Sequence, residues 1–376
     1  MKKSYLMIAA AAALLTACSS NDTFRDVDTQ DSVIGFGHAA TEKTTRAELD
    51  MTWFRTLNNG FGVYGYKDGE TDPIFKNENV YCSDATSPYE WSHATVRFWD
   101  KGASDAYDFY AYAPFTGTNN STSGANPTFN KSTGFTFTGI NIIEDITTAG
   151  ADKAVATAVE DIDYADSRLH SGHANSPTVQ FTFSHILSKL SFKIKTDIAA
   201  HNAAQNPVAT FTVTDIDIDF PTDNAVQWEE TDRRYPAGAT TYSNGYAAKD
   251  GTFETHVLTG GSQVVTSTAT AIGKTYIVTP VNETTTKHEF DVKVTYNVVY
   301  ADGTTETGCE ATGTIGTGNP ALSPGDQGYD ANIYAPGQNQ YYVAVINIAP
   351  AQINFCVENV TAWDPNGTDL EEVDVK

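Results

Sequence analysis

Phe290-Asp-Val-Lys-Val-Thr-Tyr-Asn-Val-Val-Tyr300, followed by Ala301-Asp302-Gly303 and a threonine-rich return from Thr304 to Thr314, decides the fold class. Phe290, Val292, Val294 and Tyr296 alternate with polar residues, the two-residue period of a strand with one buried face. Asp-Gly supplies the positive φ angles of a tight hairpin, so the two runs are expected to pair antiparallel.

The same period spreads outward along the chain. Phe181 to Lys195 reads as a second strand segment, alternating from Leu190 through Phe192 to Ile194, and Phe211 to Phe220 as a third. Phe61–Tyr66, Thr95–Trp99, Asp108–Ala113, Thr275–Val278 and Tyr341–Ile348 are further strands by composition and pattern. A helix is expected only near Ala151–Val159, where alanine favours it and β-branched neighbours oppose it. Many short strands without a βαβ rhythm predict an all-β chain of sandwiches with antiparallel sheets. Thr116–Thr133 and Glu229–Gly251 read as long loops. The polar, turn-prone stretch from Arg168 to Pro177 precedes a fresh strand at Val179 and divides the chain into domains 47–177 and 178–376.

At the amino terminus Lys2 and Lys3 precede an apolar run from Tyr5 to Leu15, which ends in Leu15-Thr16-Ala17-Cys18. The run is shorter than the ~20 residues that span a bilayer, so residues 1–17 read as a secretory signal. Small residues before a cysteine are what lipoprotein signal peptidase accepts. Cys18 is therefore the expected lipidated first residue of the exported chain, attached through acyl chains. The formal net charge is −24, and removing residues 1–17 takes away two lysines and no acid. Such a surface repels phosphate backbones, which excludes nucleic acid as an expected partner. Besides Cys18 there are Cys82, Cys309 and Cys356, enough for one disulfide at most. Cys309 and Cys356 are one candidate pair; unpaired buried thiols are the expected state.

Candidate chemistry is sparse. Asp215, Asp217 and Asp219 resemble the start of a calcium loop, yet Ile216 and Ile218 impose strand alternation and the glycine turn and distal glutamate are missing. A solvated strand face is expected. His170 and His173 have a metal-like spacing without a third ligand nearby. Glu160, Asp161, Asp163 and Asp166 read as surface charge. Ser184 and His185 adjoin within one strand, which points them to opposite faces. No hydrolase, zinc-protease, phosphate-loop or dinucleotide motif occurs, so no enzyme, metal or cofactor is expected. Trp53, Trp91, Trp99, Trp228 and Trp363 are candidates for stacking on sugars, although Trp99 and Trp363 lie in strand-like runs that favour packing.

The lipobox, then Ile34-Gly35-Phe36, Thr44-Thr45-Arg46-Ala47, Val63-Tyr64-Gly65-Tyr66, Arg97-Phe98-Trp99 and Phe109-Tyr110-Ala111-Tyr112-Ala113-Pro114 resemble the amino-terminal half of the Bacteroidetes fimbrillin family, the subunits of type V pili. Phe183-Ser-His185 through Leu190, Leu322-Ser-Pro324-Gly325, and Ile353-Asn-Phe355 through Val360-Thr-Ala-Trp363 continue the likeness in order.

This resemblance implies two transthyretin-like β-sandwich domains with antiparallel Greek-key sheets, carried to the outer membrane and cell surface as a lipoprotein and built into a fimbria that acts in adhesion. It further implies that an arginine-specific protease removes residues 18–46, with Arg46-Ala47 as the cleaved bond. Losing the Val33–Phe36 strand would uncover a sheet edge and an apolar cleft, which a strand from a neighbouring subunit would fill. By resemblance the donor lies in the carboxy-terminal region, where Tyr342, Ala344, Ile346 and Ile348 share one face of a strand and Ile353, Phe355 and Val357 one face of another. Expected partners are other fimbrial subunits, the outer membrane through the lipid on Cys18, and host or bacterial surface ligands. The rival reading is a lipid-anchored glycan-binding module.

Overall fold

The structure, a computed structural model, describes residues 33–41, 49, 51–67, 69–86, 89–99, 105–163, 168–169, 178–196, 209–220, 226–230, 240–243, 251–280, 288–319, 321–349 and 352–360. Its first elements are β1 (Gly35–Thr41), the short helix α1 (Met51–Phe54), β2 (Gly60–Lys67), β3 (Phe75–Asp84), β4 (Glu90–Ser92) and β5 (Asp105–Ala113). They are followed by β6 (Thr128–Asn130), β7 (Gly134–Ile140), β8 (Ile143–Asp145), β9 (Ala154–Asp163), β10 (Arg168–Leu169) and β11 (Thr178–His185). The next group is β12 (Ser188–Lys195), β13 (Ala209–Asp219), β14 (Val226–Glu230), β15 (Thr240–Ser243), β16 (Thr255–Leu258) and β17 (Gln263–Val264). The last strands are β18 (Thr270–Val278), β19 (Phe290–Tyr300), β20 (Thr305–Ile315), β21 (Tyr341–Ala349) and β22 (Gln352–Val360).

The hairpin that set the fold class forms as its residues require. In β19 and β20, Phe290 stands opposite Ile315, Val294 opposite Ala311 and Tyr296 opposite Cys309. Gly303 carries the positive φ of the turn, 84°. Thr304 N–H donates to Asp302 Oδ1 at 2.8 Å, a bond that holds the exposed Asp302 carboxyl below its usual pKa.

The chain is all-β, and among the described residues the strands form four sheets. An eight-stranded sheet runs β1-β11-β9-β5-β2-β3-β4, with β10 on β9. Two five-stranded sheets run β22-β21-β12-β18-β8 and β16-β13-β19-β20, the latter with β17 on β13. A four-stranded sheet runs β15-β14-β7-β6. The two five-stranded sheets enclose one core: Leu190, Phe192 and Ile194 of β12 and Tyr342, Ala344, Ile346 and Ile348 of β21 meet Phe211, Ile216, Phe290 and Val292 from the facing sheet. One face of the eight-stranded sheet packs Phe61, Phe75, Phe109, Phe181 and Phe183 against Ile34, Leu49, Phe54 and Trp99. Its other face packs Tyr64, Tyr110 and Tyr112 against Phe135 and Phe137 of β7. Ile186 and Leu187, between β11 and β12, belong to this last cluster together with Ile277 of β18.

Alternation along a single strand says which face is buried and nothing about direction, and here two pairings are parallel: β1 with β11 and β12 with β21. Phe181–Lys195, read as one segment, is two strands in different sheets, broken at Ile186 and Leu187. The helix expected at Ala151–Val159 is absent. β9 starts at Ala154 instead, because Ala154, Val155 and Ala156 are buried between β5 and β11, where small side chains leave room for the phenylalanines beside them. Helix propensity is a weak preference that such packing overrides. Thr95–Trp99 is not a strand; Phe98 makes an isolated bridge to Val33. The Thr116–Thr133 loop contains β6, and the Glu229–Gly251 stretch contains β15.

Candidate strand-exchange groove

β1 adds in parallel to the edge of the eight-stranded sheet, with Phe36 opposite Val179. On its other side Ile34 N–H donates to Arg97 O at 2.9 Å, and Val33 bridges to Phe98. The segment from Val33 is thus held between β11 and residues 95–99. Ile34 and Phe36 point inward and are buried. The Phe36 ring lies 5.1 Å from Phe75, 5.2 Å from His93, 5.8 Å from Phe109 and 6.1 Å from Phe181. These rings form an aromatic groove that Phe36 fills, a contact worth about 1.5–3 kcal/mol from burial alone.

Two buried carboxylates anchor segments that pack on this core. Glu78, in β3, accepts from Ala94 N–H and Thr95 N–H at 2.8 Å each through Oε1, and from the Thr95 hydroxyl at 2.6 Å through Oε2. Those bonds fix the segment that presents Arg97 O to Ile34. Asp152 Oδ2 lies 2.7 Å from His185 Nδ1 and accepts from Leu49 N–H at 3.1 Å. Leu49 is buried against the same aromatic core. Sequence reasoning missed Glu78 and Asp152, since an acid in a polar run of an acidic chain gives no sign of being buried.

At the other end of the chain, Tyr342, Ala344, Ile346 and Ile348 of β21 are buried in the carboxy-terminal core, as their alternation requires. β21 is held on both sides, by β12 along seven register pairs from Lys189↔Tyr341 to Lys195↔Asn347 and by β22. The Tyr342 hydroxyl donates to Ala335 O at 2.7 Å, and its ring stands 5.4 Å from Tyr334. Among the described residues β22 is an edge strand of its sheet, hydrogen-bonded there to β21. Ile353 stands opposite Ile348, Phe355 opposite Ile346 and Val357 opposite Ala344, so the two alternating sets singled out from the sequence are register partners. Cys18, Arg46 and Ala47 lie outside the described residues.

The remaining candidates are placed as follows. The solvated face expected for Asp215, Asp217 and Asp219 is corrected: Asp217 is 5 % and Asp219 2 % exposed. Residues after β15 fold over them. Gly251 N–H donates to Asp219 Oδ2 at 2.7 Å, His256 Nδ1 lies 2.5 Å from Asp217 Oδ1, and Lys293 Nζ lies 3.3 Å from Asp217 Oδ2. Asp215, Asp217 and His256 are the one described trio whose ligand atoms could gather on a metal, lying within 4.8 Å of one another. The Lys293 ammonium already supplies positive charge to Asp217, so the geometry reads as a self-satisfied ion pair. His170, His173 and Asp166 lie outside the described residues, as do the side chains of Glu160, Asp161 and Asp163. Ser184 and His185 are both buried in β11. Trp99 is buried, and Trp53 and Trp91 pack half-buried on the same core, so these three are structural. Cys82 is a buried free thiol, pushed up in pKa by that burial, and Cys309 is a half-buried free thiol.

A family model described as fimbrillin-like matches residues 45–351. The fimbrium subunit Fim1C of Phocaeicola vulgatus is 29 % identical over 217 residues, which cover 52 % of this chain and 52 % of that protein. The chain thus spans about half the length of the curated relative it matches. Among solved structures, a fimbrial protein from Bacteroides vulgatus aligns at 15 % identity with a TM-score of 0.44, over 89 % of this chain and 100 % of that one. A fimbrial assembly protein from Parabacteroides distasonis aligns at 12 % identity with a TM-score of 0.40, over 88 % and 94 %.

Proposed function

The chain belongs to the fimbrillin-like family, and from that premise we propose that it is a structural subunit of a cell-surface fimbria, assembled by strand exchange. The observation that carries this reading is β1 with the residues just before it: a strand at the end of its sheet, parallel to its neighbour, with Ile34 buried beside it and Phe36 filling an aromatic groove. In this reading a protease cuts Arg46-Ala47, the segment before the cut leaves, and a neighbouring subunit supplies the replacement. The cut costs a row of backbone hydrogen bonds and the burial of Ile34 and Phe36, and an inserted strand restores both. Leu49, held by Asp152, keeps the new amino terminus docked after the cut.

The donor in this reading is β22. Releasing it breaks one ladder, whereas releasing β21 breaks two and empties the core of Tyr342, Ala344, Ile346 and Ile348. Ile353, Phe355 and Val357 share the alternation of Ile34 and Phe36 and would occupy their places. The lipid on Cys18 carries the subunit to the outer membrane before the cut, and the finished fimbria acts in adhesion. No catalytic step is part of this function.

The test uses the chain from Ser19 onward, treated with a limiting dose of an arginine-specific protease and followed by amino-terminal sequencing and light scattering. A new terminus at Ala47 followed by growth into oligomers is the expected result, and deletion of residues 352–376 should abolish the growth while leaving the cut intact. A chain resistant at Arg46, or a cut product that remains monomeric, overturns strand exchange.

A further inference from the structure

Asp152 is 4 % exposed, and its two carboxylate oxygens are in different situations. Oδ2 accepts from Leu49 N–H at 3.1 Å and lies 2.7 Å from His185 Nδ1. Oδ1 is buried with no hydrogen-bond partner among the described residues. Lys153, the next residue, lines a cavity between the layers; its ammonium donates to Gly150 O and meets Asp152 through the main-chain O at 3.5 Å. An ionised carboxylate accepts at both oxygens, so a buried one with an unused oxygen is incomplete.

The chain brings the Arg46-Ala47 bond close to this oxygen. Thr41 closes β1 opposite Phe183, and Leu49 is held by the carboxylate that His185 meets, two residues further along β11. Residues 42–48 therefore join two anchors at the same end of one strand. Ala47 precedes Leu49 by two residues, about 7 Å of chain at most. Hydrolysis adds one water across the peptide bond, leaving a carboxylate on Arg46 and, at neutral pH, an ammonium on Ala47. Before the cut residue 47 offers an uncharged amide, so the positive charge appears only on cleavage. We propose that Asp152 Oδ1 is a binding site for a primary ammonium, and that its ligand is the α-ammonium of Ala47 released by the cut. This rests on the cleavage proposed above and adds what that step creates: a charge-assisted hydrogen bond beside the one from Leu49 N–H, formed as the first strand departs. The described titratable groups that meet Asp152 are His185 and Lys153. Both are present before and after the cut, so a change on cleavage belongs to the new terminus.

The test uses two chains from Ser19 onward. One is the parent, cut at Arg46; in the other, residues 41–46 are replaced by Glu-Asn-Leu-Tyr-Phe-Gln, the recognition sequence of an unrelated glutamine-specific protease that accepts alanine after its cut. Either cut leaves Ala47 first. The Ala47 α-amine is titrated by NMR and amide hydrogen exchange is followed at Leu49, before and after cyanate carbamoylates the amine and removes its charge. In the cut chain the amine should titrate at higher pH than in cut Asp152→Asn, which keeps an acceptor for Leu49 N–H but no charge. Carbamoylation should make Leu49 exchange about tenfold faster in the cut parent and leave it unchanged in cut Asp152→Asn. An amine that titrates alike with Asp152 and with Asn at that position, or Leu49 exchange indifferent to carbamoylation in the parent, overturns the proposal. A parent that resists cutting at Arg46 while the second chain shows the raised titration supports this site and overturns cleavage at Arg46. Oligomer growth from a cut chain whose amine titrates as a free one overturns this site and leaves strand exchange standing.

Discussion

Phe36 stands edge-on to Phe75, ring centroids 5.1 Å apart with an interplanar angle of 71°, although β11, β9, β5 and β2 lie between their strands, β1 and β3, in the sheet order. The contact crosses the groove and ties the terminal strand to the far side of the amino-terminal core. Replacing Phe36 by alanine should cost the uncut chain about 3–5 kcal/mol, the range for a buried phenylalanine. Urea unfolding of the uncut protein checks this. If residues before Ala47 leave on cleavage, the cut protein should show the same midpoint with either residue at position 36.

Glu78 acts on β1 at one remove, through residues 94–97. In Glu78→Gln the amide oxygen still accepts from the backbone, but the amide nitrogen cannot accept from the Thr95 hydroxyl, and the charge is lost. A loss of about 1–3 kcal/mol is expected for hydrogen bonds to a charged group. The local sign is faster amide hydrogen exchange at Ile34, whose N–H donates to Arg97 O, with little change at the 290–315 hairpin. Equal acceleration at both places would show that Glu78 acts on the whole fold.

Asp152 and His185 form a buried pair, and Leu49 N–H depends on the same carboxylate. Asp152→Ala removes the acceptor of Leu49 N–H and the partner of His185 Nδ1 and should lower stability by about 1–3 kcal/mol. Leu49 should lose exchange protection in this variant. Replacing Thr148, exposed in the nearby turn, serves as the neutral control.

Burial raises the Tyr342 pKa from 10.0 to about 12. The folded chain therefore keeps its phenolic proton over a range in which the unfolded chain loses it, so stability is fully present below pH 10 and falls as pH rises from 10 through 12. Tyr342→Phe should be about 1 kcal/mol less stable at pH 8, from the lost bond to Ala335 O, and should decline less steeply than the parent above pH 10. Chemical unfolding at pH 8, 10 and 11.5 measures both slopes.

Where a feature is written in neighbouring residues, the sequence shows it directly. The 290–315 hairpin needs only its alternation and the Asp302-Gly303 turn, and it pairs antiparallel as those residues require, with a register shift between Tyr296 and Val298 that they do not announce. The alternating sets of β21 and β22 were legible for the same reason. The strand at Ala154–Asp163 was not, because alanine is buried there by neighbours that arrive from β5 and β11. The burial of Asp217 and Asp219 also needed distant partners, Gly251, His256 and Lys293.

The amino-acid sequence by itself determined the all-β class, the hairpin turn, the alternating donor-like faces and the family likeness, since each depends on side-chain period or local backbone preference. Only the tertiary structure decided that β1 and β21 join their sheets in parallel, that Phe36 fills a ring of aromatic side chains, that Glu78 and Asp152 are buried, and that Lys153 lines a cavity between layers. Those facts follow from contacts between residues far apart in the chain, and neither periodicity nor propensity encodes which distant segments meet.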